Sequence, residues 1–65
     1  MYNINATTIK DGKVIRSRDI TIDKTLSQLA EFFYNNGSTR IDDNNWVRVF
    51  SDDSILIHTA TPLVT

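Results

Sequence analysis

The chain has 65 residues and a nearly balanced charge, with 7 Lys and Arg against 8 Asp and Glu and a formal net charge of −1. This length predicts one small domain over residues 1–65, and the absence of cysteine excludes disulfides and cysteine-ligated zinc as sources of stability. The charge balance argues against a strong sequence-independent nucleic-acid binder and equally against an acidic DNA mimic. No run of about 18 apolar residues occurs, so no membrane span is predicted.

Two strand-like segments at the start of the chain predict a β-hairpin. Residues 2–9 alternate apolar and polar side chains, and residues 13–22 form the returning strand. The Asp-Gly pair at 11–12 supplies a tight turn, because glycine accepts the positive φ that such a turn needs. Ile15 falls on the opposite parity from the later isoleucines of its strand. This mismatch predicts a β-bulge near residues 16–19 or, alternatively, a strand that is partly covered on both faces.

One helix is predicted over residues 24–36. Its apolar residues recur at i, i+3, i+4 and i+7, which places on one stripe Leu26, Leu29, Ala30 and Phe33. Thr25 and Gln28 have the spacing of a capping box, and Asp23 is an alternative N-cap. Gly37 is expected to take the left-handed conformation that ends many helices.

The rest of the chain predicts a three-stranded meander and a tail. Its strands are expected at about 38–41, 46–50 and 55–60, joined by turns at 42–45 and 51–54. Pro62 is expected to end the pairing, which leaves residues 61–65 as a C-terminal tail. The order ββαβββ predicts an α+β fold, an antiparallel sheet of about five strands with one helix packed on one face. The strand order stays open.

The residue types that support catalysis or metal binding do not form a convincing set. The single histidine, His58, falls in the last strand, where a hydrogen-bonded structural role is the simpler interpretation. The Asp pairs at 42–43 and 52–53 fall in predicted turns, where Asp side chains bind nearby backbone N–H groups. Residues 42–45 also lack the glycine and distal Glu of a calcium loop. We therefore predict no enzyme activity, no cofactor and no metal.

Basic residues on the first hairpin are the candidate nucleic-acid contacts, namely Lys10, Lys13, Arg16 and Arg18. Arg16 and Arg18 would form a small positive stripe if they shared a strand face. Aromatic side chains are not interleaved there, and Asp19 offsets the charge. A solvated sheet face, or ion pairs with Asp residues, is the simpler alternative.

The last hairpin predicts a binding surface. A two-residue turn at 52–53 would place Phe50 opposite Ile55 and would put Trp46 and Arg48 on the same face as Phe50. Both faces would then be apolar, although one helix covers only one side. The surplus is either covered by the tail or the first hairpin, or it forms an interface with a partner or a second copy. The candidate contact residues are Trp46, Arg48, Phe50 and Arg40, with the acidic turn residues Asp42, Asp43, Asp52 and Asp53.

Three short segments carry a resemblance of layout. They are Thr25-Leu26-Ser27, which opens the predicted helix, Leu29-Ala30 within it, and Gly37-Ser38-Thr39, which leads into the third strand. Between Ile20 and Thr59 the chain thereby resembles small phage-encoded ββαβββ proteins, including some anti-CRISPR inhibitors of type I systems. A glycine is common in the tight turns of such proteins, and this chain lacks one in the turns of its meander. The resemblance implies a non-enzymatic protein that binds a host complex and blocks it sterically.

Two functions from different classes follow. The first is a small interaction protein of a phage or mobile element that inhibits a host protein or ribonucleoprotein complex by steric binding. The alternative is a nucleic-acid-binding or regulatory module that uses the four basic residues of the first hairpin. A homodimer is compatible with both. The first residues do not resemble a signal peptide, so we expect action in the cytoplasm, the host cytoplasm if the protein is viral.

Overall fold

The computed structural model describes residues 1–63. Its elements are β1 (Tyr2–Lys10), β2 (Lys13–Ile22), α1 (Leu26–Asn35), β3 (Thr39–Asp42), β4 (Asn45–Val49) and β5 (Ile55–Pro62). The strands form one antiparallel sheet in the order β2-β1-β5-β4-β3, so the first strand lies beside the last. The predicted α+β fold is confirmed. Within residues 1–63, no helix combines the length and the apolar character that crossing a membrane requires.

The bulge in β2 lies one residue before the predicted stretch. Ile9 pairs with Val14 and Thr8 pairs with Arg16, so Ile15 is the extra residue. The turn before it has the expected conformation, since both of its central residues have positive φ. From Arg16 onward β2 pairs with β1 without interruption, and alternate residues therefore keep to the same face.

The turn of the last hairpin is longer than predicted. The Phe50 N–H donates to the carbonyl of Ser54 over 2.9 Å, and Asp53 adopts a φ of 67°. Val49 therefore pairs with Ile55, one residue out of the predicted register. The error has a physical cause, because Asp tolerates the left-handed conformation and lets the turn take an additional residue.

This change of register exchanges the two faces of β5. Leu56 and His58 lie on the face that α1 covers in part, which we call the helix-side face. Ile55 and Ile57 lie on the opposite face, which we call the open face. The predicted two-residue turn, which would place Phe50 opposite Ile55, is therefore wrong.

The helix begins and ends as its capping residues dictate. Thr25 Oγ1 accepts from the Gln28 N–H over 3.2 Å, and Gln28 Oε1 accepts from the Thr25 N–H over 2.9 Å. This is the predicted capping box, and it leaves Asp23 outside the cap. Gly37 follows the helix with a φ of 83°, as expected.

The core lies between α1 and the helix-side face, and its buried apolar residues are Ile4, Leu29, Phe33, Trp46 and Ala60. Trp46 is 1% exposed, with its ring centroid 4.7 Å from that of Phe33. Its predicted role as a partner contact is therefore wrong, because its side chain fills the core. The predicted tail also begins too early, since β5 continues to Pro62 and pairs with β1. Residues 64–65 lie outside the described residues.

Candidate functional site: the arginine groove

The length of α1 leaves part of the helix-side face open. Its ten residues span about 15 Å. The ten residues of β2 span about 33 Å. The helix begins beside Tyr2 and packs on the core residues, among them Ile4, Trp46 and Ala60. Thr8, Arg16, Arg18 and Leu56 lie on the same face outside that core, where the helix does not cover them.

The uncovered part of this face forms a groove of about 310 Å³. Its lining comes from four neighbouring strands or their ends and consists of Ala6, Thr8, Arg16, Arg18, Phe50, Leu56 and His58. We call it the arginine groove. The strand register places the lining residues that belong to strands in two neighbouring rows that cross the sheet. The first row consists of Arg16, Thr8, Leu56 and Arg48. The second row consists of Arg18, Ala6, His58 and Trp46. The first row has an arginine at each end, with Thr8 and Leu56 between them.

The arginines of β2 keep their charge free of carboxylate partners. Within residues 1–63, the one ion pair no longer than 4.0 Å joins Lys10 to Asp52, at 3.4 Å. Asp19, the acidic neighbour of Arg18, lies on the open face and accepts from the Asn3 amide over 3.0 Å. Hydrogen bonds from Asn3 and Asn5 hold the pKa of Asp19 below its usual value. The prediction that Asp19 offsets the charge of these arginines is therefore wrong.

Arg48 lies at the border between the helix and the groove. Its Cζ is 5.0 Å from the centroid of the Phe50 ring, a cation–π distance. Its Nε lies 3.9 Å from the position that a Cβ on Gly37 would occupy, just past the helix C-terminus. The partial negative charge of that terminus favours the guanidinium there. Arg48 thus adds a third cation beside the groove and holds Phe50 at its rim.

His58 connects the groove to the core. Its ring stacks on Phe33, with 4.5 Å between the centroids and 30° between the planes. Its Nδ1 is buried and makes no hydrogen bond within residues 1–63. The predicted hydrogen-bonded role is therefore wrong for this atom, and packing positions the ring instead. Burial lowers the pKa of His58, which favours the neutral imidazole.

The first acidic turn and Arg40 stabilise each other away from the groove. The Asp42 carboxylate accepts from the Asn44 N–H over 2.9 Å and from the Asn45 amide over 2.8 Å, and these bonds lower its pKa. Arg40 donates to the backbone carbonyls of Asp42 and Asp43. These residues close the β3–β4 turn, as the turn prediction expects. They do not join Arg48 and Phe50 in one site.

The second acidic turn lies at the other end of β4, beside the groove. Asp52 accepts from the N–H and the hydroxyl of Ser54, which lowers its pKa to about 2. It also pairs with Lys10, so this lysine is not a free contact. Asp53 and Lys13 are exposed at the neighbouring hairpin tips. The turn role of this doublet is confirmed as well.

The surplus apolar surface lies on the open face. Six aliphatic residues from four adjacent strands form it, namely Ile9, Val14, Val47, Val49, Ile55 and Ile57. Val14 and Val49 are 63% and 64% exposed. No helix or strand within residues 1–63 packs over this face. The open face is therefore a second uncovered surface, with no charged group in its apolar part.

Sequence reasoning treated Arg16 with Arg18 and Arg48 with Phe50 as two separate sites. The structure brings all four side chains to one region, because β1 and β5 are neighbours. Leu56 and His58 were missed because the register of the last hairpin was displaced by one residue. Comparison with family models finds none that matches the chain, and comparison with curated proteins and with solved structures finds no match either.

Proposed function

We propose that the chain is a small interaction protein that binds an anionic surface of another macromolecule through the arginine groove. The observation that carries the proposal is that Arg16 and Arg18 line a groove with the apolar side chains of Phe50 and Leu56. Arginine is enriched at binding hot spots, and both arginine and phenylalanine are enriched in protein–protein interfaces. The protein acts by occupying the surface of its partner and not by catalysis.

The proposed partner is a host protein or ribonucleoprotein complex in the bacterial cytoplasm. The resemblance of layout to small phage-encoded inhibitors supports an anti-defence role, in which a phage or mobile element supplies the protein. An anionic partner surface also matches the groove, since complementary charge accelerates encounter and fixes orientation. Steric exclusion needs only a tight, well-oriented contact, which a domain of 7.4 kDa can provide.

Affinity capture with a matched pair of charge reversals tests the proposal. Arg18→Glu changes the charge inside the groove, whereas Lys24→Glu makes the same change at the exposed start of the helix. We expect wild type and Lys24→Glu to recover the same stoichiometric protein or ribonucleoprotein from bacterial cytoplasm, and Arg18→Glu to recover none. Equal recovery by Arg18→Glu and Lys24→Glu would contradict the proposal.

A nucleic-acid-binding module is the second candidate, because the groove places an aromatic ring, Phe50, with Arg16 and Arg18. Nucleic acid alone in the eluate, lost as salt is raised, would support it, since phosphate contacts release counterions. Phe50→Ala should then weaken binding of single strands through lost stacking. No mobility shift with mixed-sequence DNA or RNA at low salt would remove this candidate.

A further inference from the structure

We propose that the partner docks as an extended acidic segment, which adds a strand to the free edge of β2 and places alternate carboxylates against Arg16 and Arg18. This inference rests on the proposed function and names the chemistry of the partner. Strand addition uses backbone hydrogen bonds for affinity and alternate side chains for specificity.

The edge of β2 is suited to receive a strand. It is one of the two outer strands of the sheet, and its residues are exposed apart from Ile22, which is half-buried. The stretch Arg16–Ile22 pairs with β1 without a register shift, so its outward backbone groups are evenly presented. In an edge strand, about half of the N–H and C=O groups point away from the sheet.

The opposite edge is less suitable. β3 has only four residues, and its pairing with β4 shifts register between Arg40 and Asp42. Short, irregular edges are a common means of preventing strand addition. The two edges of the sheet therefore differ in length and regularity, and only β2 offers a long regular stretch.

The side chains of β2 specify what a docked strand must carry. Arg16, Arg18 and Ile20 follow one another on the helix-side face, and Ile20 is 59% exposed. An added strand would place its own alternate side chains beside these three. The complementary pattern is two acidic residues and one apolar residue at alternate positions. In an antiparallel strand the apolar residue comes first.

The same charges disfavour a second copy as the occupant. Antiparallel pairing of β2 with β2 of another copy brings Arg16 opposite Arg18 when the pair is centred on Ser17, and like charges across strands are destabilising. A register centred on Asp19 or Ile20 places Arg18 opposite an isoleucine and leaves both arginines without a carboxylate partner. Nucleic acid lacks the peptide groups that continue a β-ladder, so a free strand edge favours a polypeptide. An acidic extended segment satisfies both the edge and the arginines.

Selection from a random decapeptide library displayed on phage tests the inference. The wild-type chain is the target, and Arg16→Glu/Arg18→Glu is the counter-selection target. We expect enriched peptides to carry two acidic residues at alternate positions and an apolar residue two positions away. The best peptide is then synthesised with and without N-methyl groups on alternate amides. N-methylation on the edge that faces β2 should weaken binding by at least about tenfold, and N-methylation on the other edge should not.

Hydrogen exchange of the β2 amides supplies a second readout. Bound peptide should protect alternate amides between Arg16 and Ile22, which face outward in the free chain. Enriched peptides without the alternating pattern, or equal effects of N-methylation on both edges, would overturn strand addition. Binding of a thymidine decanucleotide with no enriched peptide would overturn it in favour of nucleic acid.

Strand addition and groove binding fail on different results. If capture of the cellular partner depends on Arg18 but the library gives no alternating pattern, strand addition is wrong and groove binding stands. If Arg18→Glu also leaves capture unchanged, the proposed function fails with it.

Discussion

The imidazole ring of His58 stacks on Phe33 at 4.5 Å between centroids, and this contact joins the core to the arginine groove. One side of the ring is packed against the helix, and its Nδ1 is buried without a hydrogen bond within residues 1–63. The titration of one residue therefore reports on both the core and the groove.

Acid should destabilise the fold through His58. Burial lowers its pKa below the ordinary 6.5, so the unfolded chain binds a proton at a higher pH than the folded chain does. The stability that neutral His58 contributes is complete above pH 6.5 and is lost as the pH falls from 6.5 through the lowered folded pKa. Denaturant unfolding followed by Trp46 fluorescence, at about pH 7.5, 6.5 and 5.5, measures this loss.

His58→Phe is the control for that experiment. It keeps the stacking on Phe33 and removes both the titration and the unpaired Nδ1. Its free energy of unfolding should therefore vary less with pH than that of wild type. A proton titration of His58 in the folded chain with a midpoint at or above 6.5 would contradict the account.

Truncation of Trp46 should unfold the protein. Trp46→Ala removes a side chain that is 1% exposed, and such changes cost about 3–5 kcal/mol. That is comparable with the whole stability of a small domain, about 5 kcal/mol at the low end. Far-ultraviolet circular dichroism should show the loss of structure. Val49→Ala, at a position 64% exposed, should stay folded. A cooperatively folded Trp46→Ala chain would contradict the assigned core.

The helix cap should make a measurable contribution. Thr25→Ala breaks the reciprocal bonds with Gln28 and should destabilise the fold by about 1 kcal/mol. For a domain of this size that lowers Tm by about 4–8 °C, which thermal unfolding detects. Asp23→Ala is the matched control and should shift Tm much less. Equal Tm shifts for both variants would contradict the assignment of Thr25 as the N-cap.

The carboxylate of Asp52 should titrate far below its usual range. Its hydrogen bonds to Ser54 lower the pKa from 3.8 to about 2, so its contribution to stability is complete above pH 3.8 and is lost toward pH 2. Carboxyl-carbon chemical shifts measured against pH give the midpoint. Ser54→Ala should raise it more than Lys10→Ala, because the Ser54 bonds are the larger cause. A larger rise in the pKa with Lys10→Ala would contradict the assignment of the Ser54 bonds as the larger cause.

Local patterns in the sequence predict the elements well. The Asp11-Gly12 turn and the capping box of Thr25 each involve residues within a few positions, so short-range chemistry determines them. The α+β class follows from the order of the elements. The sequence predicts a bulge near its position because Ile15 falls on the opposite parity from the isoleucines after it, and an extra residue is one of the two ways to explain that mismatch.

The site could be predicted only in pieces. Arg18 and His58 lie in one row because Ala6, between them, pairs with both. This arrangement requires β1 and β5 to be neighbours, which no local sequence pattern encodes. The position of Trp46 depends on a one-residue register that Asp53 sets through its positive φ. Tryptophan is a residue type typical of binding contacts, but Trp46 is buried beneath the helix and belongs to the core.

Photo-crosslinking from two adjacent residues tests whether the partner binds the arginine groove. Phe50 lines the groove, whereas Val49 lies on the open face and is 64% exposed. A photo-crosslinking phenylalanine analogue is placed at one position or the other, and the protein is irradiated in bacterial cytoplasm. We expect a discrete crosslinked partner from position 50 and none from position 49. A crosslink from position 49 alone would show that the open face is the contact surface and would contradict binding in the arginine groove.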